Sequence, residues 1–136
     1  MSGMGTSLRQ YLLLDGPVYT LVQERIHQGI MPQVSKYPAI WFEQRGKESI
    51  ISLNGDRTGL ARYTFDVECL ARTGEQAAEL ADAVEAILSG YKGTFGGTRS
   101  IQASIVESVD DEYVPQADAS DSGVSITAMS VTIVST

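Results

Sequence analysis

Few residues of this chain could do nucleophilic or acid–base chemistry. Its single histidine, His27, would have to serve any His-assisted Ser or Cys nucleophile. It lies close to Arg25 at the end of a helical segment, where we expect a structural or solvent-facing imidazole. The single cysteine, Cys69, occupies an inward position of a strand and is expected to behave as a small hydrophobe. These residues do not predict a nucleophilic site.

The densest group of carboxylates consists of Glu107, Asp110, Asp111 and Glu112. Oxygen ligands this close in sequence could hold calcium or magnesium. The spacing nevertheless lacks the mid-loop glycine and the closing glutamate of a calcium loop, so we interpret the group as a solvated acidic strand end. Two carboxyls about 5 to 10 Å apart would also suffice for glycosidase-like chemistry, which leaves a carboxylate-based hydrolase as an alternative.

Glycines, a lysine and a threonine occur together at residues 90–97. A phosphate-binding loop needs Gly-Lys-Ser/Thr directly after a strand and at the start of a helix, whereas this segment follows a helix and precedes a strand. We expect a turn or the tip of an arm. The sequence therefore predicts no catalytic, cofactor-binding or metal-binding residue and no enzyme activity.

Composition predicts one domain spanning residues 1–136, of which residues 1–6 are expected to be flexible. The net charge is −7, and residues 100–136 contain no Lys or Arg, which argues against a dedicated nucleic-acid binder. No apolar run approaches the roughly 18 residues that would span a bilayer. The first residues lack the basic and apolar regions of a secretory signal, so we expect the protein to stay in the cytoplasm where it is made.

The N-terminal segment predicts two helices. Ser7 is expected to cap the first, with Gln10 reaching back to it. Pro17 suits the first turn of a second, short helix that carries Val18, Leu21 and Val22 inward. Prolines and glycine then predict an extended crossing loop over residues 29–38.

Two elements have a clear period. Apolar and polar residues alternate over residues 60–72, which predicts a half-buried strand with Cys69 on its buried face and Asp66 and Glu68 on the other. Thr73 and Gln76 have the spacing of a capping box. An amphipathic helix follows and ends at Gly90.

Three further strands are predicted over residues 39–45, 99–109 and 124–134, with a loop at residues 113–122. The apolar phase of the last strand slips near Met129, which predicts either a bulge or a strand buried on both faces. The fold class is α+β: one domain with a roughly four-stranded, largely antiparallel sheet, helices packed on one face, and a long loop or hairpin arm.

The arm corresponds to residues 48–59, where Ile50, Ile51 and Leu53 lie between two strands. Apolar residues that project in such a segment are candidates to pack on a neighbouring subunit. A hairpin folded back on its own sheet is the alternative.

Several stretches resemble one family of proteins. They are Tyr37-Pro38-Ala39-Ile40 at the entry to the first strand, Leu53-Asn54-Gly55-Asp56 before the main strand, and above all residues 65–88, which join that strand to the amphipathic helix. In these stretches the chain resembles the small tail-completion proteins of long-tailed phages and prophages, which act as tail terminators or tail-to-head joining proteins.

The resemblance implies a structural virion protein. Six copies of an α+β subunit would form a ring that caps the tail tube, meets the head connector and leaves an axial channel for DNA. The implied partners are further copies of the chain, the major tail tube protein and the head–tail connector protein, without specific DNA binding, membrane or cofactor. The implied location is the head–tail junction of the virion, after assembly in the host bacterial cytoplasm.

The predicted site residues follow from this role. A cyclic ring needs two different contact surfaces on each subunit. The candidate subunit interface is Ile50, Ile51, Leu53, Asn54, Asp56 and Arg57.

An acidic channel would repel DNA phosphates, and the candidate channel-facing acids are Asp110, Asp111 and Glu112. The alternative is that these acids serve solubility alone. A small peptide- or protein-binding module with an exposed sheet edge is the second functional alternative, beside the hydrolase.

Overall fold

The computed structural model describes residues 3–29, 36–51, 55, 57–95, 99–114 and 123–135, with Arg57, Thr58, Arg99 and Val114 described by their backbone only. Within these ranges the elements are α1 (Met4–Leu14), α2 (Gly16–Val22), β1 (Ile26–Gln28), β2 (Ala39–Ile51), β3 (Arg57–Ala71), α3 (Gly74–Leu88), β4 (Gly93–Phe95), β5 (Arg99–Val114) and β6 (Val124–Ser135). None of the described helices has the length and apolar character to cross a bilayer.

The strands form one mixed sheet in the order β1-β2-β3-β6-β5-β4. β1 runs parallel to β2, and every other neighbouring pair is antiparallel. The α+β class is confirmed, but the expected count of about four strands is wrong, because β1 and β4 add two edge strands. Each has three residues, which is too short to display a period of two in the sequence.

The pairing of β3 with β6 is continuous from Ala61 opposite Ser135 to Ala71 opposite Ser125, without a register shift. β6 therefore has no bulge near Met129 in its pairing with β3, although β5 has a register shift between Val106 and Ser108, opposite Val131 and Ser130. The sequence phase slips because Ile126, although buried, lies on the face opposite to Met129, while the polar Thr127 lies on the same face as Met129. Register shifts occur instead in the pairing of β2 with β3 and of β5 with β6.

α3 has the predicted cap. Thr73 Oγ1 accepts a hydrogen bond from the backbone N–H of Gln76 at 3.2 Å, which satisfies one of the free amides of the first turn. Its apolar stripe, including Leu80, Val84 and Leu88, is fully buried against the sheet.

The N-terminal helices follow the prediction in number but not in start. Asp15 caps α2, accepting from the Val18 N–H at 3.0 Å, and Pro17 lies in the first turn. α1 begins at Met4, which is buried, so residues 4–6 are helical. Ser7 therefore lies inside the helix and does not cap it.

All three helices contribute to a core that covers one face of the sheet, which we call the helix face. Phe42 and Phe65 meet there edge-on, with ring centroids 5.9 Å apart. A second aromatic group joins α1 to β4: Tyr11 stacks on Phe95, and its hydroxyl donates to the Ile87 carbonyl at 2.8 Å. The opposite face, which we call the outer face, carries most of the charged residues of the strands.

Candidate functional site

The ends of β2 and β3 form a two-stranded arm. β6 pairs with β3 only from Ala61 onward, so residues 49–51 and 57–60 extend past the rest of the sheet. The side chain of Ile51 is 58% exposed on this arm. A hairpin arm was one of the two forms that the sequence predicted for residues 48–59.

The predicted interface residues fall partly on this arm. Ile50 is partly buried, Ile51 is exposed, and Arg57 is described by its backbone in the first position of β3. Leu53, Asn54 and Asp56 lie outside the described residues. Two ion pairs lie on the outer face: Arg62 with Glu48 at 3.6 Å, beside the arm, and Arg45 with Asp66 at 3.2 Å, farther along the sheet.

β5 separates the three predicted channel acids. Asp111 lies opposite Thr127, whose hydroxyl donates to it at 2.9 Å on the helix face. Asp110 and Glu112, its neighbours on either side, point to the outer face because side chains alternate along a strand. The three acids therefore do not share one surface, and only Asp110 and Glu112 can belong to an outer-face site.

The outer face carries more acids than the sequence analysis assigned to a site. Successive register pairs bring Glu43 opposite Asp66, and Glu68 into the same row as Asp110. The pKa of Glu68 is raised by burial first and then by the charges of Glu112 and Asp66. The alternation of residues 60–72 had already placed Asp66 and Glu68 on the polar side, but the register was needed to place them beside β5.

The free edge of β5 is a second surface that sequence reasoning missed. β4 pairs only with residues 99–101, so among the described residues no strand lies beside residues 103–114 on the side away from β6. Three apolar residues of this segment are exposed: Ile105 on the outer face by 52%, and Val109 and Tyr113 on the helix face by 45% and 57%. The sequence does show apolar residues spaced four apart in an otherwise acidic segment. They do not predict this edge, because the sequence alone indicates a strand that ends at Val109.

A cleft of about 430 Å³ lies between the first turn of α3 and the end of β5. Its lining includes Gly74, Ala77, Asp111, Tyr113 and Thr127. The carboxylate of Asp111 thus lies at the same end of the molecule as the N-terminus of α3, where a negative charge is favoured.

The residues considered for nucleophilic catalysis are Cys69 and His27. Cys69 is fully buried, and burial raises the pKa of its thiol to about 12, so it is not a nucleophile. The pKa of His27 is lowered by desolvation and by Arg9. Within the part of the chain that the structure describes, no three His, Cys, Asp or Glu side chains are grouped to hold a metal ion.

These features define a class of protein. Within the described residues, an exposed arm and a strand edge with exposed apolar residues are features that occur at contacts between proteins. The family model for Tail completion protein gp17 matches residues 6–129. The chain therefore belongs to this family and is a structural protein of phage-like tails, as the resemblance in its sequence predicted.

The fold also has a relative among solved structures. It is similar to a chain in the structure entitled "Virion of native gene transfer agent (GTA) particle", with a TM-score of 0.66 and 16% sequence identity, over 98% of this chain and 95% of that chain. At this identity the likeness shows a shared fold. Among curated proteins, none matches this chain.

Proposed function

We propose that the chain caps the tail tube and helps to join the tail to the head, as a hexameric ring around an axial channel. Residues 1–136 act as one tail-completion domain, without enzyme activity. The partners are other copies of the chain, the major tail tube protein and the head–tail connector protein. The ring is located at the head–tail junction of the virion after assembly in the host bacterial cytoplasm, and DNA passes through it without specific binding.

The main support for the proposed ring is the position of two exposed surfaces on opposite edges of one sheet. The arm with Ile51 extends from the β2–β3 side, and the uncovered edge with Val109 and Tyr113 lies on the β5 side. A ring needs such a pair of unlike surfaces, because each subunit contacts two neighbours through different patches. The predicted interface at Ile50, Ile51, Leu53, Asn54, Asp56 and Arg57 supplies one of the two.

The outer face supports the channel. Glu68 on β3 and Asp110 and Glu112 on β5 bring carboxylates to either side of β6, so a ring that turned this face inward would repel DNA phosphates. Asp111 lies on the helix face and is assigned to a subunit contact instead of the channel.

The ring is tested by the solution mass across a concentration series, with light scattering after size exclusion and negative-stain imaging. We expect a species of about six times the 14.7 kDa chain with a central hole. Ile51→Asp should reduce it, because the charge would have to be buried against the neighbour. Leu14→Asp is the matched control, since Leu14 is an exposed leucine on α1, away from the arm. A chain that remains monomeric at every concentration and on purified tail tubes would contradict the proposal.

The channel is tested by charge reversal. Asp110→Lys with Glu112→Lys should increase the affinity of assembled rings for DNA, and the slope of log affinity against log salt should steepen by about one for each new phosphate contact. Glu79→Lys with Asp82→Lys makes the same charge change on the exposed face of α3. Equal effects of the two pairs would refute a channel lined by the outer face.

A further inference from the structure

We propose that, in the ring, the free edge of β5 in one copy pairs antiparallel with the free edge of β2 in the next copy. The sheet would then continue from subunit to subunit. This inference rests on the proposed ring and specifies which surface receives the β2–β3 side of the neighbour.

Each of the two edges has a stretch along which no described strand lies. β1 covers β2 only at residues 40–42, and among the described residues no strand lies on that side of residues 43–49. On the opposite side of the sheet, no described strand lies beside β5 from residue 103 onward, although the Gly90 N–H donates to the Ser104 carbonyl at the start of this stretch. Unpaired backbone N–H and C=O groups along such edges are a template for another strand.

The sense of the pairing follows from the topology. β2, β3, β6 and β5 are joined by three antiparallel steps, so β2 and β5 run in opposite directions. Rotation about a ring axis preserves the component of strand direction along that axis. Where β5 of one copy meets β2 of the next, the two strands therefore run antiparallel.

Charge identifies a second copy of this chain as the occupant. Residues 45–62 carry four Lys or Arg against two acids, although the whole chain has a net charge of −7. Residues 100–136 carry six acids and no Lys or Arg. The positive segment contains the arm and the negative one contains β5, so contact between copies joins opposite charges while contact between like edges would repel.

The regular parts of the two strands also match. Register shifts interrupt β2 between Gln44 and Gly46 and β5 between Val106 and Ser108, which leaves residues 46–49 and 108–113 as uninterrupted segments. Lys47 and Ser49 lie on the helix face of β2, opposite Tyr63 and Ala61.

On β5, Val109, Asp111 and Tyr113 share the helix face. Antiparallel alignment of the two segments about their centres, with matching faces, brings Lys47 opposite Asp111 and Ser49 opposite Val109. Bulged edges do not pair with arbitrary strands, which favours this one partner.

Cysteine pairs test both the contact and its sense. One cysteine replaces Lys47 or Ser49, and a second replaces Val109, Asp111 or Tyr113, since directly paired strand residues lie within disulfide reach. We expect Lys47→Cys to link to Asp111→Cys, and Ser49→Cys to Val109→Cys. Chains with both cysteines should give a ladder up to closed hexamers on non-reducing gels. Mixtures of the two single variants should stop at dimers. Asp82→Cys with Asp111→Cys controls for random collision.

A charge swap gives an independent measurement. Lys47→Glu should weaken assembly by at least about tenfold, as truncation of one partner of an interface charge pair does. Adding Asp111→Lys should restore assembly, because the pair is then reversed rather than removed. Lys92→Glu, which makes the same change in the exposed turn before β4, should have no effect.

The outcomes separate the inference from the proposed function. Two outcomes would overturn the inference and leave the ring standing. One is the formation of hexamers without either disulfide. The other is the parallel pattern, in which Lys47→Cys links to Val109→Cys and Ser49→Cys links to Asp111→Cys. The absence of any assembly, alone or on tail tubes, would overturn both. A ladder with the antiparallel pattern and rescue by the charge swap would establish the contact.

Discussion

Ser7→Ala distinguishes a buried helix residue from a helix cap by the sign of one free-energy change. Ser7 is fully buried inside α1, and its hydroxyl has no hydrogen-bond partner among the described residues. A buried polar group without a partner costs about 1–3 kcal/mol. If Ser7 capped the helix instead, as the sequence suggests, its removal would cost about 1 kcal/mol.

The magnitude combines three effects. Removing the hydroxyl abolishes its desolvation cost, and alanine is favoured over serine inside a helix by about 0.5 kcal/mol. The lost contacts of the oxygen, at about 0.1–0.2 kcal/mol each, offset part of the gain. We expect the free energy of unfolding of Ser7→Ala to rise by about 1–2 kcal/mol, which corresponds to a Tm increase of roughly 3–7 °C.

The assay is chemical and thermal unfolding at protein concentrations low enough to keep the chain monomeric, because assembly would add its own stabilisation. Thr73→Ala is the matched control: Thr73 does cap a helix, and its loss should lower the free energy of unfolding by about 1 kcal/mol. Ser104→Ala removes a second unpartnered buried hydroxyl, but from a strand, and so separates the hydroxyl from helix propensity. A loss of stability in Ser7→Ala equal to that in Thr73→Ala would refute the reasoning.

Two further predictions concern titratable groups. Glu68→Gln should be neutral or stabilising at pH 7, because burial and neighbouring acids raise the pKa of Glu68 and so disfavour its charged form in the folded state. Any gain in the free energy of unfolding should disappear as pH falls below the pKa of Glu68 in the unfolded chain. Urea unfolding at a series of pH values measures this change. Cys69 should not react with a thiol reagent at pH 8 until the protein unfolds. Because its pKa rises from 9.0 to about 12 on folding, the free energy of unfolding should decline as pH increases from 9 to 12. Cys69→Ser should remove the part of the decline that this thiol causes. An equally steep decline in the variant would contradict the prediction.

The elements that the sequence predicted well are those in which several local signals agree. Residues 60–72 alternate strictly, and α3 has both a cap at Thr73 and a continuous apolar stripe. Ser7 shows the opposite case: a serine three residues before a glutamine has the spacing of a capping box, but burial of Met4 extends the helix by one turn and places Ser7 inside it. Tertiary packing decided that boundary, and no local signal shows it.

The register of the strands determines which residues form the surfaces proposed for assembly, and the sequence alone does not show that register. Once β5 is known to continue to Val114, the alternation of strands separates Asp111 from its two acidic neighbours. From the sequence alone the strand is expected to end at Val109, and the three adjacent acids then form one group. The proximity of Glu68 to Glu112 arises only because β6 is inserted between β3 and β5, two strands that are separated in the chain by α3 and β4.

The crowding of acids on the outer face bears on the proposed channel. An antiparallel sheet with one solvated face needs only polar residues there, and spreading its charges would avoid mutual repulsion. This sheet instead places Glu43 beside Asp66 and brings Glu68 close enough to Glu112 to raise its pKa. This arrangement disfavours the charged form of Glu68 in the isolated subunit, whereas Arg45 offsets the charge of Asp66. The proposed channel would use these carboxylates, because repulsion of phosphate depends on the local density of negative charge and not on the net charge of the chain.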